Sequence, residues 1–323
     1  MILFALRRIA SSALLFFWVL TATFFLLHLA PGDPIHLVDV KGVSAETRER
    51  MERLYGLDLP LHQQYVRWLG SVLQGDWGVS YDIKRPAATV VMERLPASAL
   101  LAGAALLLEH LFGLWIGLVA ARRAGSAFDV HSRWSSLLIP SLPAFVVAIF
   151  AIEIFAVQLR WLPGQHMTTA GFHHMGPWQQ VGDILSHLIL PASVLAFARC
   201  GAVVRYVRNG ALEVLSQDYI RTARSLGLSE RRILWVHVLP NCLGPLIQRL
   251  GFSLPMLLSG TLILEVIFSW PGIGMVMADA VMQRDYPVVL VVTALSALLV
   301  ILGNLFADLL HAWIDPRVRE AHL

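Results

Sequence analysis

Six long apolar segments constrain the fold of this 323-residue chain more than any other feature. A helix needs about 20 apolar residues to cross the hydrocarbon core of a bilayer, and lipid offers no partner to an unpaired backbone group. The chain is 57% hydrophobic and only 15% charged, whereas globular proteins are about 25% charged. It is therefore predicted to be an all-α membrane protein with six transmembrane helices, at Ile9–Ala30, Ala97–Ala121, Ser136–Leu159, His187–Val207, Leu250–Phe268 and Val288–Leu310.

The distribution of arginine predicts which side of the membrane each loop faces, because cytoplasmic loops carry an excess of Lys and Arg. The first apolar segment is longer than a signal-peptide core of about 7–15 residues, so an uncleaved first helix is expected. With the N-terminus inside, the two short outer loops hold only Arg160 and Arg284. The inner segments hold Arg7, Arg8, Arg122, Arg123, Arg133, Arg205, Arg208, Arg221, Arg224, Arg231, Arg232, Arg249, Arg317 and Arg319. Both termini are therefore predicted to be cytoplasmic.

The long first outer loop, Pro31–Pro96, contains a segment with helical periodicity. Its apolar residues recur at the spacing of one helical face, which predicts an amphipathic helix. This helix has two available locations: flat on the membrane surface, or packed against the outer ends of the spanning helices. The residues of the apolar face are Leu61, Tyr65, Trp68, Leu69, Val72 and Leu73.

The sequence lacks the motifs of an enzyme or a nucleotide-binding protein. No G-x-x-x-x-G-K-[ST] phosphate-binding loop occurs, and H-E-x-x-H, G-x-S-x-G and C-x-x-C are also absent. Cys200 and Cys242 lie in or beside apolar stretches and are interpreted as small hydrophobic fillers. If the protein uses ATP, another chain must bind it.

Four carboxylates in the predicted helices are candidates for a polar path. A charged side chain inside a membrane is costly and usually faces the interior of a helix bundle or water. The alternative is an ion pair between helices, for example with Arg199 in the fourth span. The carboxylates are Glu109, Glu153, Glu265 and Asp308, of which Glu109, Glu153 and Glu265 are taken as substrate-path candidates.

Three histidines in one short outer loop raise the question of a metal site. His166, His173 and His174 lie in GQHMTTAGFHHMG, and histidine is the commonest metal ligand. Their spacing matches no defined site, so an ordinary solvated loop is the preferred interpretation and no metal site is predicted.

The most unusual part of the sequence is the basic segment, DYIRTARSLGLSERRILWVHVLPN (Asp218–Asn241). Asp218 is predicted to cap a short helix over Tyr219–Leu226, with one apolar edge formed by Tyr219, Ala223 and Leu226. Gly227 fits the left-handed position after the helix, and Ser229 can cap a second helix. The result is either a rigid helix–turn–helix element or a loop whose arginines only set the topology.

The basic segment resembles the cytoplasmic coupling loop of binding-protein-dependent ABC importer permeases, whose pattern is E-A-A, three residues, G, nine residues, then I-x-L-P. Arg221-Thr222-Ala223, Gly227 and His237-Val238-Leu239-Pro240 stand at those positions, with departures at two leading residues and the isoleucine. The branch that serves dipeptides, oligopeptides and nickel is similar at more places. These are YIRTARSLGL, PGDP (Pro31–Pro34), YGLDLPLHQQYVRWL (Tyr55–Leu69), GDWGVS (Gly75–Ser80), FSWPGIG (Phe268–Gly274), RDYPVV (Arg284–Val289) and DPR (Asp315–Arg317).

The resemblance implies the type I ABC importer permease fold. Residues 1–96 would form the N-terminal helix and outer loop, and residues 97–323 a five-helix core with a coupling loop at about 208–245. A second similar permease, two P-loop ATPases carrying ATP and Mg, and an extracytoplasmic solute-binding protein would be its partners in the bacterial inner membrane, with no cofactor on this chain and no role for nucleic acid. Docking on the ATPase is implied for the coupling residues Tyr219, Arg221, Ala223, Arg224, Gly227, Leu239 and Pro240.

The function expected from these features is a non-enzymatic permease subunit for di- or oligopeptides. Import of nickel or a metal chelate by the same machine is the first alternative. A stand-alone secondary transporter is the alternative from another class, and Pro143 and Pro255 would be its candidate helix breaks. Six spans without an internal repeat leave little protein for both halves of such a transporter.

Overall fold

The computed structural model describes residues 2–30, 50, 53, 56–242 and 261–314, with side chains described between residues 8 and 305. The described parts are largely helical. The α-helices are α1 (Ile2–Leu29), α2 (Leu61–Leu73), α3 (Ala87–Arg122), α4 (Ala127–Leu138), α5 (Ala144–Ala151), α6 (Pro177–Leu215), α7 (Asp218–Ser225), α8 (Glu230–Arg232), α9 (Leu262–Ile267), α10 (Ile273–Met282) and α11 (Tyr286–Ile314).

Four of these helices are long and apolar enough to cross a membrane, namely α1, α3, α6 and α11. They correspond to the first, second, fourth and sixth predicted spans, with α1 ending one residue before the predicted end of the first. Helices α3 and α6 have 36 and 39 residues, so they extend beyond the apolar stretches by which they were predicted. The fifth predicted span, Leu250–Phe268, and its Pro255 lie mostly outside the described residues.

The third predicted span is not the single straight helix that its apolar run indicated. Residues 127–141 and 144–158 form two limbs that are bent by 100° relative to each other. Pro143 explains the position of the break, since a residue before proline is pushed out of the helical region. Leu142 accordingly has an extended backbone, with φ −79° and ψ 132°. The outer limb continues from α5 into a π-helical turn at Ile152–Gln158. We refer to this broken element as the bent span.

Helices α3 and α6 form the central pair of the molecule, and two glycines bring them together. A Cβ atom on Gly113 would lie 2.5 Å from Val203, and one on Gly117 would lie 2.8 Å from Val207. These distances are below any real van der Waals contact, so only glycine permits the approach. The spacing G-x-x-x-G is the arrangement by which membrane helices pack closely.

The described part of the first outer loop packs against the spanning helices, so the helix α2 follows the packing alternative and does not lie free on the membrane. Tyr65 of α2 forms a 2.8 Å hydrogen bond with Thr21 of α1, and Trp68 stacks on Phe24 at 5.0 Å. Further along the loop, Ser80 donates a hydrogen bond to the buried carboxylate of Asp285, just before α11.

Candidate functional site

The basic segment begins with α7, which ends in a Schellman motif. The N–H of Gly227 bonds to the carbonyl of Arg224 at 2.9 Å, and the N–H of Leu228 bonds to that of Ala223 at 3.2 Å. These two bonds satisfy carbonyls that the end of a helix otherwise leaves unpaired. Gly227 has φ +78°, the left-handed conformation that the sequence predicted. The first helix therefore ends sharply at a defined residue.

A second helical stretch starts at once, so the basic segment is a helix–turn–helix element. Ser229 accepts a hydrogen bond from the N–H of Arg232 and caps α8, as predicted. A π-helical turn over Ile233–Val238 then leads into Pro240. Because proline has no N–H and its ring clashes with the carbonyl four residues earlier, the wider π-turn accommodates Pro240 without ending the helix.

The start and the buried face of α7 differ from the sequence prediction. Gln217 occupies the cap position without a side-chain bond, and Asp218 is the first helical residue. Ile220 and Ala223, rather than Tyr219 and Leu226, form the buried edge. Tyr219 is 47% exposed and Leu226 is 76% exposed, so both apolar side chains remain on the surface.

A hydrophobic cluster fixes the basic segment to the inner ends of the two central helices. Its buried members from the segment pack with Ala121 of α3 and Ala211 of α6. The members are Ala121, Ala211, Ile220, Ala223, Ile233, Val238 and Cys242. Because both helical stretches contribute, the element is held at more than one point and cannot pivot freely.

Two exposed arginines of the segment form ion pairs with carboxylates. Arg221 lies 3.1 Å from Asp218, and Arg224 lies 2.8 Å from Glu230 across the turn. The hydrogen bond from Arg224 lowers the pKa of Glu230 below its usual value. Arg231 and Arg232 are exposed as well. The surface of the segment therefore combines several exposed apolar side chains with guanidinium groups.

Glu265, a candidate for the substrate path, has a carboxylate that is fully buried and hydrogen-bonded within the protein. Ser98 of α3 donates to it at 2.7 Å, and the N–H groups of Gly274 and Met275 donate at 2.7 and 3.3 Å. The carboxylate thus caps the N-terminus of α10, where a negative charge is favourable. Gly272 makes this possible, because a Cβ atom there would lie 2.3 Å from Glu265.

The other carboxylate candidates lie in different surroundings. Glu109 of α3 is 2% exposed and pairs with Arg199 of α6 at 3.3 Å, which is the interhelical pair that the sequence suggested. Glu153 lies exposed on the outer limb of the bent span, where Gln158 donates to it at 3.1 Å. The side chain of Asp308 lies outside the described residues. The three candidates are therefore not gathered in one site.

The loop histidines occupy separate backbone environments. His166 has φ +64° and its N–H bonds to the carbonyl of Phe268 at 2.7 Å, whereas His173 and His174 lie in a 3₁₀ turn. Within the described ranges, no three His, Cys, Asp or Glu side chains are placed to hold one metal ion.

Sequence reasoning missed an ion pair between Asp129 of α4 and Arg208 of α6. Arg208 was counted only as a topology signal, and Asp129 was not considered. It also missed a cavity of about 740 Å³ between α3, the bent span and α6. The cavity is lined mainly by apolar side chains together with Ser132, Ser135, Ser136 and Ser193.

Comparison with known proteins identifies the kind of molecule to which these elements belong. A family model described as "Binding-protein-dependent transport system inner membrane component" matches residues 113–320, and a model of the N-terminal part of such components matches residues 1–102. The chain is 37% identical over 316 residues to "Oligopeptide transport system permease protein AppB" of Bacillus subtilis (strain 168), covering 98% of each chain.

Two further relatives are similar over their whole length. Identity is 37% to "Di/tripeptide transport system permease protein DppB" of Pseudomonas aeruginosa (strain UCBPP-PA14) and 34% to "Dipeptide transport system permease protein DppB" of Escherichia coli (strain K12), with 99% of each chain covered. A crystal structure of an amino acid ABC transporter with histidines matches 68% of this chain and 92% of its own, at 16% identity and a TM-score of 0.46. The sequence relatives carry the assignment: this chain belongs to the family of binding-protein-dependent transport system inner membrane components.

Proposed function

We propose that this chain forms, together with a second homologous permease subunit, the membrane pathway of an importer for di- or oligopeptides. The relatives named above are permeases for dipeptides, di/tripeptides and oligopeptides, and each matches at least 98% of this chain. No relative named here is a nickel permease, and the loop histidines do not converge. Peptides are therefore the substrate class that the available observations favour.

As an inner membrane component of a binding-protein-dependent transport system, the chain is a permease subunit of the bacterial cytoplasmic membrane and not an enzyme. Membership of this family implies ATPase and binding-protein partners, and it removes the stand-alone secondary transporter as an alternative. In the proposed assembly, two P-loop ATPases bind ATP and Mg, a solute-binding protein delivers peptide from outside, and this chain itself carries no cofactor. Both of its termini would lie in the cytoplasm.

The basic segment is proposed to receive the movement of an ATPase subunit. The observation that carries this role is its rigidity: α7 ends in a Schellman motif, α8 is capped by Ser229, and both are packed on α3 and α6. Tyr219 and Arg221 would meet the ATPase beside Arg224, while Ala223 and Gly227 define the turn. Leu239 and Pro240 would brace the segment against the next span.

Among the carboxylates, Glu109 and Glu153 remain the better candidates for a substrate path. Arg199 beside Glu109 is partly exposed, so this pair could exchange partners with the charged ends of a peptide. The side chain of Glu153 is exposed. Glu265 is the weakest candidate, because the N-terminus of α10 and Ser98 already bond its carboxylate.

The direct test is reconstitution of the complete complex in proteoliposomes. With the binding protein and Mg-ATP present, labelled di- and tripeptides should accumulate inside, and omission of ATP or of the binding protein should abolish accumulation. Nickel and an amino acid serve as control substrates. ATP-dependent accumulation of nickel without accumulation of any peptide would overturn the peptide assignment.

A further inference from the structure

A buried ion pair joins the inner limb of the bent span to α6. The carboxylate of Asp129 is 1% exposed and receives two hydrogen bonds from the guanidinium of Arg208, at 2.5 and 2.9 Å. The N–H of Gly125 donates a third bond at 2.9 Å, and Arg133 lies 3.9 Å away. Two parallel bonds between Arg and a carboxylate fix orientation as well as distance. The two helices are therefore held in one relative rotation here.

A second contact holds the same two helices closer to the middle of the membrane. Arg205 donates a hydrogen bond to the backbone carbonyl of Ser136. One turn earlier on α6, a Cβ atom on Gly201 would lie 2.5 Å from that carbonyl oxygen. The backbones of the two helices are therefore in direct contact. With contacts at both levels, α4 can neither slide along α6 nor turn about it.

These contacts lie between the basic segment and the break of the bent span. Ala211, which packs against the basic segment, is three residues from Arg208 on α6. At its other end, α4 runs through a 3₁₀ turn at Ile139–Ser141 into the extended Leu142 before Pro143. A displacement of the basic segment thus passes through α6 to α4, and the break is the first place where the backbone can absorb it.

The cavity of about 740 Å³ lies on both sides of this break. Ser136 and Ile139 line it from the inner limb, and Val147 and Ala151 line it from the outer limb. A change in the angle between the limbs therefore changes the width of the cavity.

We propose that the Asp129–Arg208 pair is a positioning contact that transmits movement of the basic segment to the inner limb of the bent span, and thereby opens and closes the cavity at the break. This inference rests on the proposed function, because it takes the basic segment as the place where the ATPase acts. The physical requirement for such transmission is an element with two arrangements that both sites bias. In the proposed transmission the bent span is that element, and the extended Leu142 before Pro143 is its hinge.

The test uses the complete complex in proteoliposomes and two measured quantities. The first is the number of peptides imported per ATP hydrolysed. The second is the distance between spin labels on His131 of the inner limb and Ile149 of the outer limb, each replaced by Cys after Cys200 and Cys242 have been changed to Ser. Both label sites are exposed. The distance is recorded without nucleotide and with ATP and vanadate.

Asp129→Asn and Arg208→Lys are the test variants. Both remove the paired hydrogen bonds, and Arg208→Lys retains the positive charge. The matched control is Glu93→Gln, which breaks an exposed Arg–carboxylate pair with Arg85 at the outer end of α3. This control has the same chemistry, but its two residues belong to the outer loop and to α3 and not to the bent span.

In the wild-type complex and in Glu93→Gln, ATP should shift the distance between the labels. In both test variants the shift should be lost, and import per ATP should fall about tenfold, within the usual range of coupling between two sites. ATP hydrolysis itself should change much less than import, because neither residue lies on the face of the basic segment that is proposed to meet the ATPase. The double variant Asp129→Asn/Arg208→Met should be no worse than Asp129→Asn, because the two residues act as one unit.

A retained shift with normal import per ATP in both test variants would overturn the proposal. Assembly failure of both variants would also overturn it, because the pair would then be a folding contact. Failure of the proposed function is a separate result: the wild-type complex would import no peptide, while the label distance would still report whether ATP moves the bent span through this pair.

Discussion

Replacement of Glu265 by alanine should destabilise the outer half of the protein. Its carboxylate is fully buried, and it accepts hydrogen bonds from the hydroxyl of Ser98 and from the N–H groups of Gly274 and Met275. The same hydroxyl accepts a bond from the N–H of Ile273 at 2.8 Å. In Glu265→Ala, the first turn of α10 loses its acceptor in a place that water does not reach.

The magnitude follows from the number of groups left unpaired. A buried polar group that loses its partner costs about 1–3 kcal/mol, and Gly274 donates the stronger of the two N–H bonds. In the double variant Ser98→Ala/Glu265→Ala, the N–H of Ile273 also loses its acceptor. We expect Glu265→Ala to cost about 3 kcal/mol, which corresponds to a decrease in Tm of roughly 4–6 °C for a protein of this size. Glu265→Gln should cost about 1 kcal/mol, because it loses one acceptor oxygen and the charge at the helix N-terminus but keeps an oxygen that can accept from the N–H of Gly274.

The assay is thermal unfolding of the purified protein in detergent, followed by intrinsic tryptophan fluorescence. Glu153→Ala is the matched control, since it removes an exposed membrane carboxylate and should leave the Tm within about 1 °C. Ser98→Ala and the double variant Ser98→Ala/Glu265→Ala form a cycle in which the losses should not add. An unchanged Tm in Glu265→Ala together with loss of peptide import would refute this reasoning and assign the residue to the substrate path.

Three further changes test other contacts. The Gly227→Val protein should insert into the membrane normally but show less peptide import and less substrate-stimulated ATP hydrolysis. The reason is that a side chain in the left-handed conformation costs about 1–2 kcal/mol. Gly103→Val, in open space on a regular helix, is the control in the same transport assay. Gly113→Leu should separate α3 from α6 and lower the Tm by several degrees, since even a Cβ atom there would lie 2.5 Å from a valine side chain. Ser80→Ala removes a hydrogen bond to the buried carboxylate of Asp285 and should make the outer loop more sensitive to protease added outside sealed cells.

The sequence predicted best those features that depend on neighbouring residues. The left-handed Gly227 and the Ser229 cap follow from rules that need only a few residues, and both occur. Long apolar runs located four spanning helices and part of the bent span. The proline at position 143 marked a candidate break, but no local rule gives the angle of 100° between the limbs, which depends on what each limb packs against.

Contacts between residues far apart in the chain could not be predicted from the sequence. Asp129 and Arg208 are 79 residues apart. In the sequence, each alone is an ordinary charged residue near a membrane boundary. For Glu265 a signal was available: the carboxylate precedes a glycine-containing turn and the start of α10, which is where helix N-termini bind negative groups. Its burial could not be foreseen, because it depends on Ser98 in another helix.

The arginines of α6 show why a charge pattern underdetermines structure. Three arginines of this helix form three different kinds of contact, although only Arg205 and Arg208 were counted as topology signals. Arg199 forms an ion pair with Glu109 of α3, and Arg205 donates a hydrogen bond to a backbone carbonyl of α4. Arg208 forms an ion pair with two hydrogen bonds to Asp129. Topology requires only positive charge at the inner boundary, which lysine supplies equally well. A paired bond to a buried carboxylate requires the planar guanidinium group, so lysine at position 208 would preserve the orientation of the protein in the membrane while loosening the contact that positions the bent span.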